Sequence, residues 1–285
     1  MTHPGKLLKQ NNLYAGKELG QNFLCDPKTA QMIVDRTGVG KGTRVLEVGP
    51  GLGAITKPLA RAATHVTAVE KDLRIVPLLA EELKADGIEN VDIVTKDILK
   101  TDIYDIASPA NSQKLVVVGN LPYNISSQIL FKLIKVRAVI DRAFLMFQKE
   151  LAERLLSAPG GRAYSRLTAV VKYAARVSHV ANVAPSNFFP RPEVDSTVLR
   201  FDFFESTVLS QTDEHLLFAV IKAAFSKRRK TLKNAMSGGE LGLKKPEAGA
   251  ALEGAGIDPV RRAETLTIDE FIALTQSVRT FISGQ

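Results

Sequence analysis

Four consecutive residues, Asn120-Leu121-Pro122-Tyr123, bring together a carboxamide, a main-chain carbonyl and an aromatic ring. The set suits the exocyclic amine of adenine. That nitrogen is a poor nucleophile because its lone pair is delocalised into the purine ring, so a catalyst must draw the amine toward tetrahedral geometry. The Asn120 side-chain oxygen and the Leu121 carbonyl can accept its two hydrogens. Pro122 stiffens the turn that aims the carbonyl, and Tyr123 offers a face on which an extruded base can stack, a contact worth about 1–3 kcal/mol. Taken alone, the four residues also read as an ordinary proline turn, and what precedes them in the chain decides between the two.

Earlier in the chain, Val45-Leu46-Glu47-Val48-Gly49-Pro50-Gly51-Leu52-Gly53 ends an apolar run in a glycine-rich turn. At Gly49 and Gly51 the backbone can approach a ligand where side chains would block it. Glu70, in Val69-Glu70-Lys71-Asp72, closes the next β-branched run, where a carboxylate can accept both hydroxyls of a ribose. Asp97 and Ile98 follow the third run, and Asp97 can meet an adenine amino group or serve simply as a turn residue or helix cap. Gly49, Gly51 and Ala54 also satisfy a loose dinucleotide fingerprint, so the turn leaves nicotinamide adenine dinucleotide, S-adenosylmethionine and a ligand-free turn all open. With a sulfonium methyl donor the reaction is an in-line displacement, in which proximity and fixed dipoles matter more than a strong base. No catalytic histidine is needed.

The elements that must hold these residues alternate along the chain. Strands are expected at 44–48, 66–70, 91–95, 114–119 and 143–147, with helical patterns between them at 73–86, where Leu73, Val76, Leu79 and Leu83 form a stripe, and at 126–136, capped by Ser126. Such alternation predicts an α/β parallel sheet wound with helices. Pro58 weakens the early turns of the helix after the first strand. A helix over 165–175 and two further strands, 177–183 and 196–204, come next, and these strands can join the sheet as an antiparallel addition. The segments 214–225, 228–236, 246–255 and 268–282 read as helices only. The chain thus divides into a catalytic domain, 1–205, and a small helical domain, 206–285.

Composition narrows the class further. Of the 285 residues, 45% are hydrophobic, enough for a sizeable core. Lys and Arg outnumber Asp and Glu by 38 to 30, a net charge of +8 that favours a polyanionic partner or simply aids solubility. Cys25 is the sole cysteine, so no intrachain disulfide and no cysteine zinc site can form, and no histidine has a partner at metal-ligand spacing. No metal is expected. No run approaches transmembrane length, and Met1 to Gly16 lacks the apolar core of a signal peptide. A soluble, cytoplasmic monomer that does not contact membranes is expected.

Four stretches together carry a resemblance. These are 19–24 (Leu-Gly-Gln-Asn-Phe-Leu), 47–53, 119–126 (Gly-Asn-Leu-Pro-Tyr-Asn-Ile-Ser) and 187–196, which begins Asn-Phe-Phe-Pro-Arg-Pro and ends Val-Asp-Ser. On them the chain resembles the ribosomal RNA adenine dimethylases, and most closely their bacterial small-subunit branch. The likeness runs from about Lys17 to Phe204 and continues more loosely from Ala224 to Leu232. It implies a Rossmann-like class I methyltransferase sheet with a small C-terminal helical domain. It also implies S-adenosylmethionine as cofactor, contacted by Gln21, Asn22, Leu24, Gly49, Gly51, Glu70, Lys71, Asp97, Ile98 and Asn120. The Asn120 to Tyr123 loop would hold the target adenine. The implied reaction places two methyl groups on N6 of each of two adjacent adenosines in a hairpin near the 3′ end of small-subunit RNA, late in ribosome assembly. The small ribosomal subunit and its RNA are then the partner. Phe188 and Phe189 can flank the flipped base or pack in the core. Lys227, Arg228, Arg229 and Lys230, at the start of an expected helix, can contact phosphates or form a solvated face, and Arg261-Arg262 invites the same two readings. The rivals are a large-subunit RNA adenine methylase of the antibiotic-resistance type, a non-enzymatic assembly factor on the same fold, and a dehydrogenase.

Overall fold

The computed structural model describes residues 2–16, 18–107, 113–204, 209–227 and 229–282. The strands are β1 (Phe23–Leu24), β2 (Arg44–Val48), β3 (His65–Glu70), β4 (Val91–Thr95), β5 (Leu115–Asn120), β6 (Ile140–Gln148), β7 (Ala175–Val183), β8 (Phe188–Phe189) and β9 (Ser196–Phe203). Seven of them form one sheet in the order β4-β3-β2-β5-β6-β9-β7, and β1 pairs with β8 apart from it. From β4 to β6 the strands run parallel, and β9 lies antiparallel against β6. The strands expected at 44–48 and 91–95 have those bounds, β3 begins one residue early, β5 is shifted by one, β6 adds three residues before and one after, and the antiparallel addition is present.

The order reverses at β2. The chain moves outward from β2 through β3 to β4, then returns to β5 on the other side of β2, so the carboxyl ends of β2 and β5 flank a crevice. Both are buried apolar strands. Val45, Val66, Val116, Val118, Phe144 and Met146 share one core with Ile33 and Val34 of α2 (Pro27–Thr37) and Leu59 of α3 (Thr56–Ala62). No element was expected before Arg44, yet α1 (Pro4–Gln10) and α2 precede it. The start of α2 is locally encoded: Asp26 caps it by accepting from the Thr29 N–H, and Pro27 stands at its first position. Pro58 falls in the first turn of α3, where its missing N–H would have had no helical partner.

Two expected details change. The helix over 73–86 is α4 (Val76–Ala85), and Leu73 lies outside it, 72% exposed; the buried face is Leu78, Leu79 and Leu83. Ser126 is the first residue of α6 (Ser126–Lys135) rather than its cap, and its hydroxyl donates back to the Tyr123 carbonyl. α5 (Ile103–Ala107) lies between β4 and β5.

The chain forms two compact units, one of Met1–Ala152 with Val177–Glu205, the other of Glu153–Arg176 with Ser206–Gln285. The expected boundary at 205/206 lies outside the described residues, but the assignment of 153–176 to the sheet domain does not hold. After α7 (Lys149–Leu156), α8 (Arg166–Ala174) packs with the later helices: Tyr164 meets Phe225, and Tyr173 meets Phe218 edge-on at 5.9 Å. Those helices are α9 (Gln211–Ala224), α10 (Leu232–Met236), α11 (Lys245–Gly254) and α12 (Ile268–Ile282). No helix among the described residues is long and apolar enough to cross a membrane.

A buried cation braces the cofactor side of the sheet unit. Lys57 of α3, 4% exposed, meets Glu82 of α4 at 2.6 Å and Asp86 at its end at 3.4 Å. The contact fixes α3, and with it the glycine turn, against α4. Replacing Lys57 by Met keeps the side-chain volume but strands two carboxylates. Both are partly solvated and have second partners in Thr2 and Arg61, so the expected loss is about 1–3 kcal/mol of unfolding free energy in denaturant titration. An unchanged midpoint and slope would assign the brace no energetic role.

Candidate active site

One cavity opens over the carboxyl ends of β2, β3 and β5, and every cofactor candidate named from the sequence lines it: Gln21, Asn22, Leu24, Gly49, Gly51, Glu70, Lys71, Asp97, Ile98 and Asn120. Leu121, Pro122 and Tyr123 line it as well. The structure therefore gathers residues from five separate stretches of chain around a single space.

The glycine turn sets the floor. Gly49 and Gly51 have φ of 70° and 56°, the left-handed region that favours glycine. A Cβ on Gly51 would stand 2.9 Å from the Phe23 ring, and its N–H donates to Glu70 Oε2 at 3.2 Å. Glu70 also accepts from the N–H groups of Lys71 and Asp72 through Oε1. Burial pushes its carboxyl up, and these three N–H groups oppose that shift. The result is a rigid carboxylate at the end of β3, placed where ribose hydroxyls can donate to it.

Asp97 is a cap, one of the two parts foreseen for it, and its place at the cavity wall leaves the other available. It caps the short 3-10 turn Ile98–Lys100 by accepting from the Leu99 N–H, and it pairs with Lys71 at 2.9 Å while lining the cavity. The Lys71 ammonium holds its carboxyl below the usual range. Gln21 lines the cavity, but its side chain is engaged within the protein: Oε1 accepts from the Gly16 N–H and Nε2 donates to Asp72. It ties the N-terminal segment down.

Asn120 ends β5. Its Nδ2 donates to the Asn22 carbonyl at 2.9 Å. A carbonyl can only accept, so the amide orientation is fixed by this bond and Oδ1 is left as the acceptor. Among the described residues no main-chain N–H donates to the Leu121 carbonyl, whereas the Pro122 carbonyl is occupied by the Ile125 N–H and that of Tyr123 by the Ser126 hydroxyl. Two acceptors thus sit on adjacent residues beside a half-buried phenol ring.

The remaining candidates separate. Phe188 is buried in the core with Leu24, Phe144 and Val183, which settles it as a packing residue rather than a ring beside the base. Phe189 is partly exposed and meets His3 edge-on at 5.6 Å. Neither lines the cavity. Lys227, Arg229 and Lys230 are exposed on the turn that precedes α10 and not on the helix expected there; Arg228 lies outside the described residues. Arg261 is committed to Glu270 and Thr265, while Arg262 is exposed. Cys25 is half-buried, with its thiol pushed up by burial. Among the described residues no group of three or more His, Cys, Asp or Glu could hold a metal.

Sequence reasoning passed over Glu47, named only as part of a strand. It lines the cavity, is 2% exposed, and its Oε2 has no hydrogen-bond partner within the described residues; the same holds for the buried Thr56 hydroxyl. Burial pushes the Glu47 carboxyl up to about 8, reinforced by the nearby Glu70. The signal was an acid inside the apolar run Val45-Leu46-Glu47-Val48. The residues present fit an adenosine-bearing cation: a glycine turn, two acids at neighbouring strand ends and an orphaned buried carboxyl line one cavity.

A parallel sheet that reverses at β2, with an antiparallel β9 and this cleft at its carboxyl edge, defines a class I methyltransferase. The ribosomal RNA adenine dimethylase family profile matches residues 12–279. The ribosomal RNA small subunit methyltransferase A of Desulforapulum autotrophicum is 52% identical over 98% of this chain and 97% of its own length, and that of Alkaliphilus oremlandii 39% over 92% and 91%. Among solved structures, a dimethyladenosine transferase from Plasmodium falciparum superposes with a TM-score of 0.75 at 30% identity, covering 88% of this chain and 95% of that one. The 23S rRNA methyltransferase ErmE reaches 0.67 at 26%, covering 90% and 100%. The chain belongs to the ribosomal RNA adenine dimethylase family.

The orphaned Glu47 carboxyl makes stability depend on pH. Unfolding lets it ionise near its ordinary 4.5, whereas the folded chain holds the proton up to about 8. Its contribution is full below 4.5 and is lost as pH rises to 8. Glu47→Gln, neutral at every pH, should therefore gain on the wild type from pH 5 to pH 8 and level off above. Denaturant titrations across that range check this, and a pH-independent difference would show that the carboxyl is not held protonated.

Proposed function

We propose that this chain transfers methyl groups from S-adenosylmethionine to N6 of two adjacent adenosines in a hairpin near the 3′ end of small-subunit ribosomal RNA, during subunit assembly. The observation that carries the reading is the fixed Asn120 amide, whose Nδ2 is held by the Asn22 carbonyl.

Glu70 would take the ribose hydroxyls, Asp97 the adenine amino group, and the Gly49 to Gly51 turn would pass under the donor where a Cβ would intrude. Held there, the donor supplies an electrophilic methyl on a sulfonium. The protein's part is to bind and aim the target amine. Asn120 Oδ1 and the Leu121 carbonyl accept its two hydrogens, which draws its lone pair out of conjugation. Tyr123 stacks on the base, and Pro122 limits the freedom of the loop. Fixed acceptors in a cleft that excludes water are worth more than the same groups in solvent, because they need no reorganisation as charge develops on nitrogen. The departing proton requires no dedicated histidine.

Lys227, Arg229 and Lys230, exposed on one turn, would meet RNA phosphates, and binding should weaken as salt rises. The cavity residues proposed here all come from one chain, so a monomer suffices, and the substrate places the reaction in the bacterial cytoplasm. The likeness to ErmE supports a second reading, a large-subunit target. The identity to small-subunit enzymes, 52% against 26%, favours the first.

Labelled methyl donor incubated with small or large subunits that lack the modification separates the readings. Label should map to paired adenosines of the small subunit, and label in the large subunit alone would reverse the choice. Asn120→Ala should cut transfer about a hundredfold or more, by analogy with loss of one preorganised polar group, with RNA binding largely retained. Unchanged turnover would remove Asn120 from the chemistry.

A further inference from the structure

Stacking needs the face of Tyr123, not its hydroxyl; phenylalanine would present the same ring. The hydroxyl is nevertheless committed. It lies 2.9 Å from Ser196 Oγ, and Ser196 is 0% exposed. Ser196 belongs to the fourth of the motif stretches, and no part of the chemistry above uses it.

Its setting is rigid. Ser196 opens β9, opposite Gln148 at the end of β6, and the preceding Asp195 carbonyl accepts from the Lys149 N–H. Tyr123 sits on a loop beyond the end of β5, where its ring can turn about two side-chain bonds. A hydrogen bond at the far end of the ring removes that freedom more effectively than any contact near the Cα. Burial pushes the Tyr123 phenol up, so the group stays neutral and the bond persists across the working pH range.

We propose that Ser196 is a positioning residue for methyl transfer: its buried hydroxyl, borne on a fixed strand, anchors the Tyr123 hydroxyl and holds the ring at the tilt the target base stacks on. The proposal rests on the reading of Tyr123 as the stacking face. An ordered platform spares the bound base the loss of the ring's own freedom, so the anchor acts once the base is in place, on the rate of transfer, and leaves binding of the methyl donor alone.

The test is a double-mutant cycle in single-turnover methylation of small subunits that lack the modification, at saturating donor. Ser196→Ala and Tyr123→Phe should each slow transfer about three- to tenfold, the size of a neutral hydrogen bond. The double variant should be no slower than either single one, and donor affinity should stay at the wild-type value. A hydroxyl that served packing alone would instead slow transfer equally with Tyr or Phe at 123, so losses that multiply overturn the proposal, as does full activity in either single variant. If Ser196→Ala fails to fold, Tyr123→Phe decides by itself: a three- to tenfold loss at unchanged donor affinity supports the anchor, and wild-type rates sink it. Tyr123→Ala separates the two levels. Full activity there removes the stacking reading itself, whereas a large loss beside unaffected Ser196→Ala and Tyr123→Phe removes only the anchor.

Discussion

The bond from Asn120 Nδ2 to the Asn22 carbonyl constrains the rest of the site. A carboxamide has a donor end and an acceptor end of nearly equal shape, and only the acceptor can draw hydrogens from an amine. With Nδ2 held by a main-chain carbonyl, rotation of the amide would set oxygen against oxygen in a half-buried place, so the acceptor end stays directed away from Asn22. This requires Asn22 to be fixed in turn. Phe23 and Leu24, the next two residues, are clamped by pairing with Phe189 and Phe188, and Gln21 is tied to Gly16 and Asp72. The stretch around Asn22 is therefore held on both sides.

The same logic explains why the cavity tolerates so many polar groups. Glu70 takes three main-chain N–H groups and Asp97 takes Lys71 and an N–H of its own turn, so each carboxylate is oriented before any ligand arrives. Glu47 differs. It has no such donors and avoids the penalty of a buried charge by keeping its proton, as its raised pKa records. Burial pushes both acids up, but only Glu70 faces backbone donors that oppose the shift. A cationic ligand placed beside Glu47 would favour the ionised form and reverse that balance.

Much of this could be read from the residues. Regular alternation located the parallel strands to within a few positions because buried parallel strands are continuous apolar runs closed by glycine or an acid, as at Val45 to Gly49 and Val66 to Glu70. The site followed, since motifs at the carboxyl ends of neighbouring strands must converge. What stayed hidden depends on contacts distant in sequence. Phe188 and Phe189 have the same side chain, yet one is core and the other half-exposed because pairing with β1 directs alternate residues to opposite faces. The segment 153–176 leads into β7 in the chain but packs with helices that follow β9, and a linear boundary could not express that. Lys227 to Lys230 read as a helix start by pattern, but the helix begins only after Thr231.

The division of labour in the site follows from the chemistry it must perform. A sulfonium is already an excellent leaving group, so little is gained by activating the donor, and the difficulty lies in an amine whose lone pair belongs to an aromatic ring. Removing that pair from conjugation calls for two acceptors a fixed distance apart, and adjacent positions on one loop supply them more reliably than side chains on separate elements. One acceptor is main chain and cannot change rotamer. The other is a side chain whose rotamer is set by Asn22. The phenol ring beside them keeps a rotatable degree of freedom, and Ser196, on a strand paired with β6, is the one group among the described residues that bonds its hydroxyl. The stiffness of the sheet is thereby carried to the Tyr123 ring through Ser196, while the N-terminal stretch around Asn22 fixes the Asn120 amide.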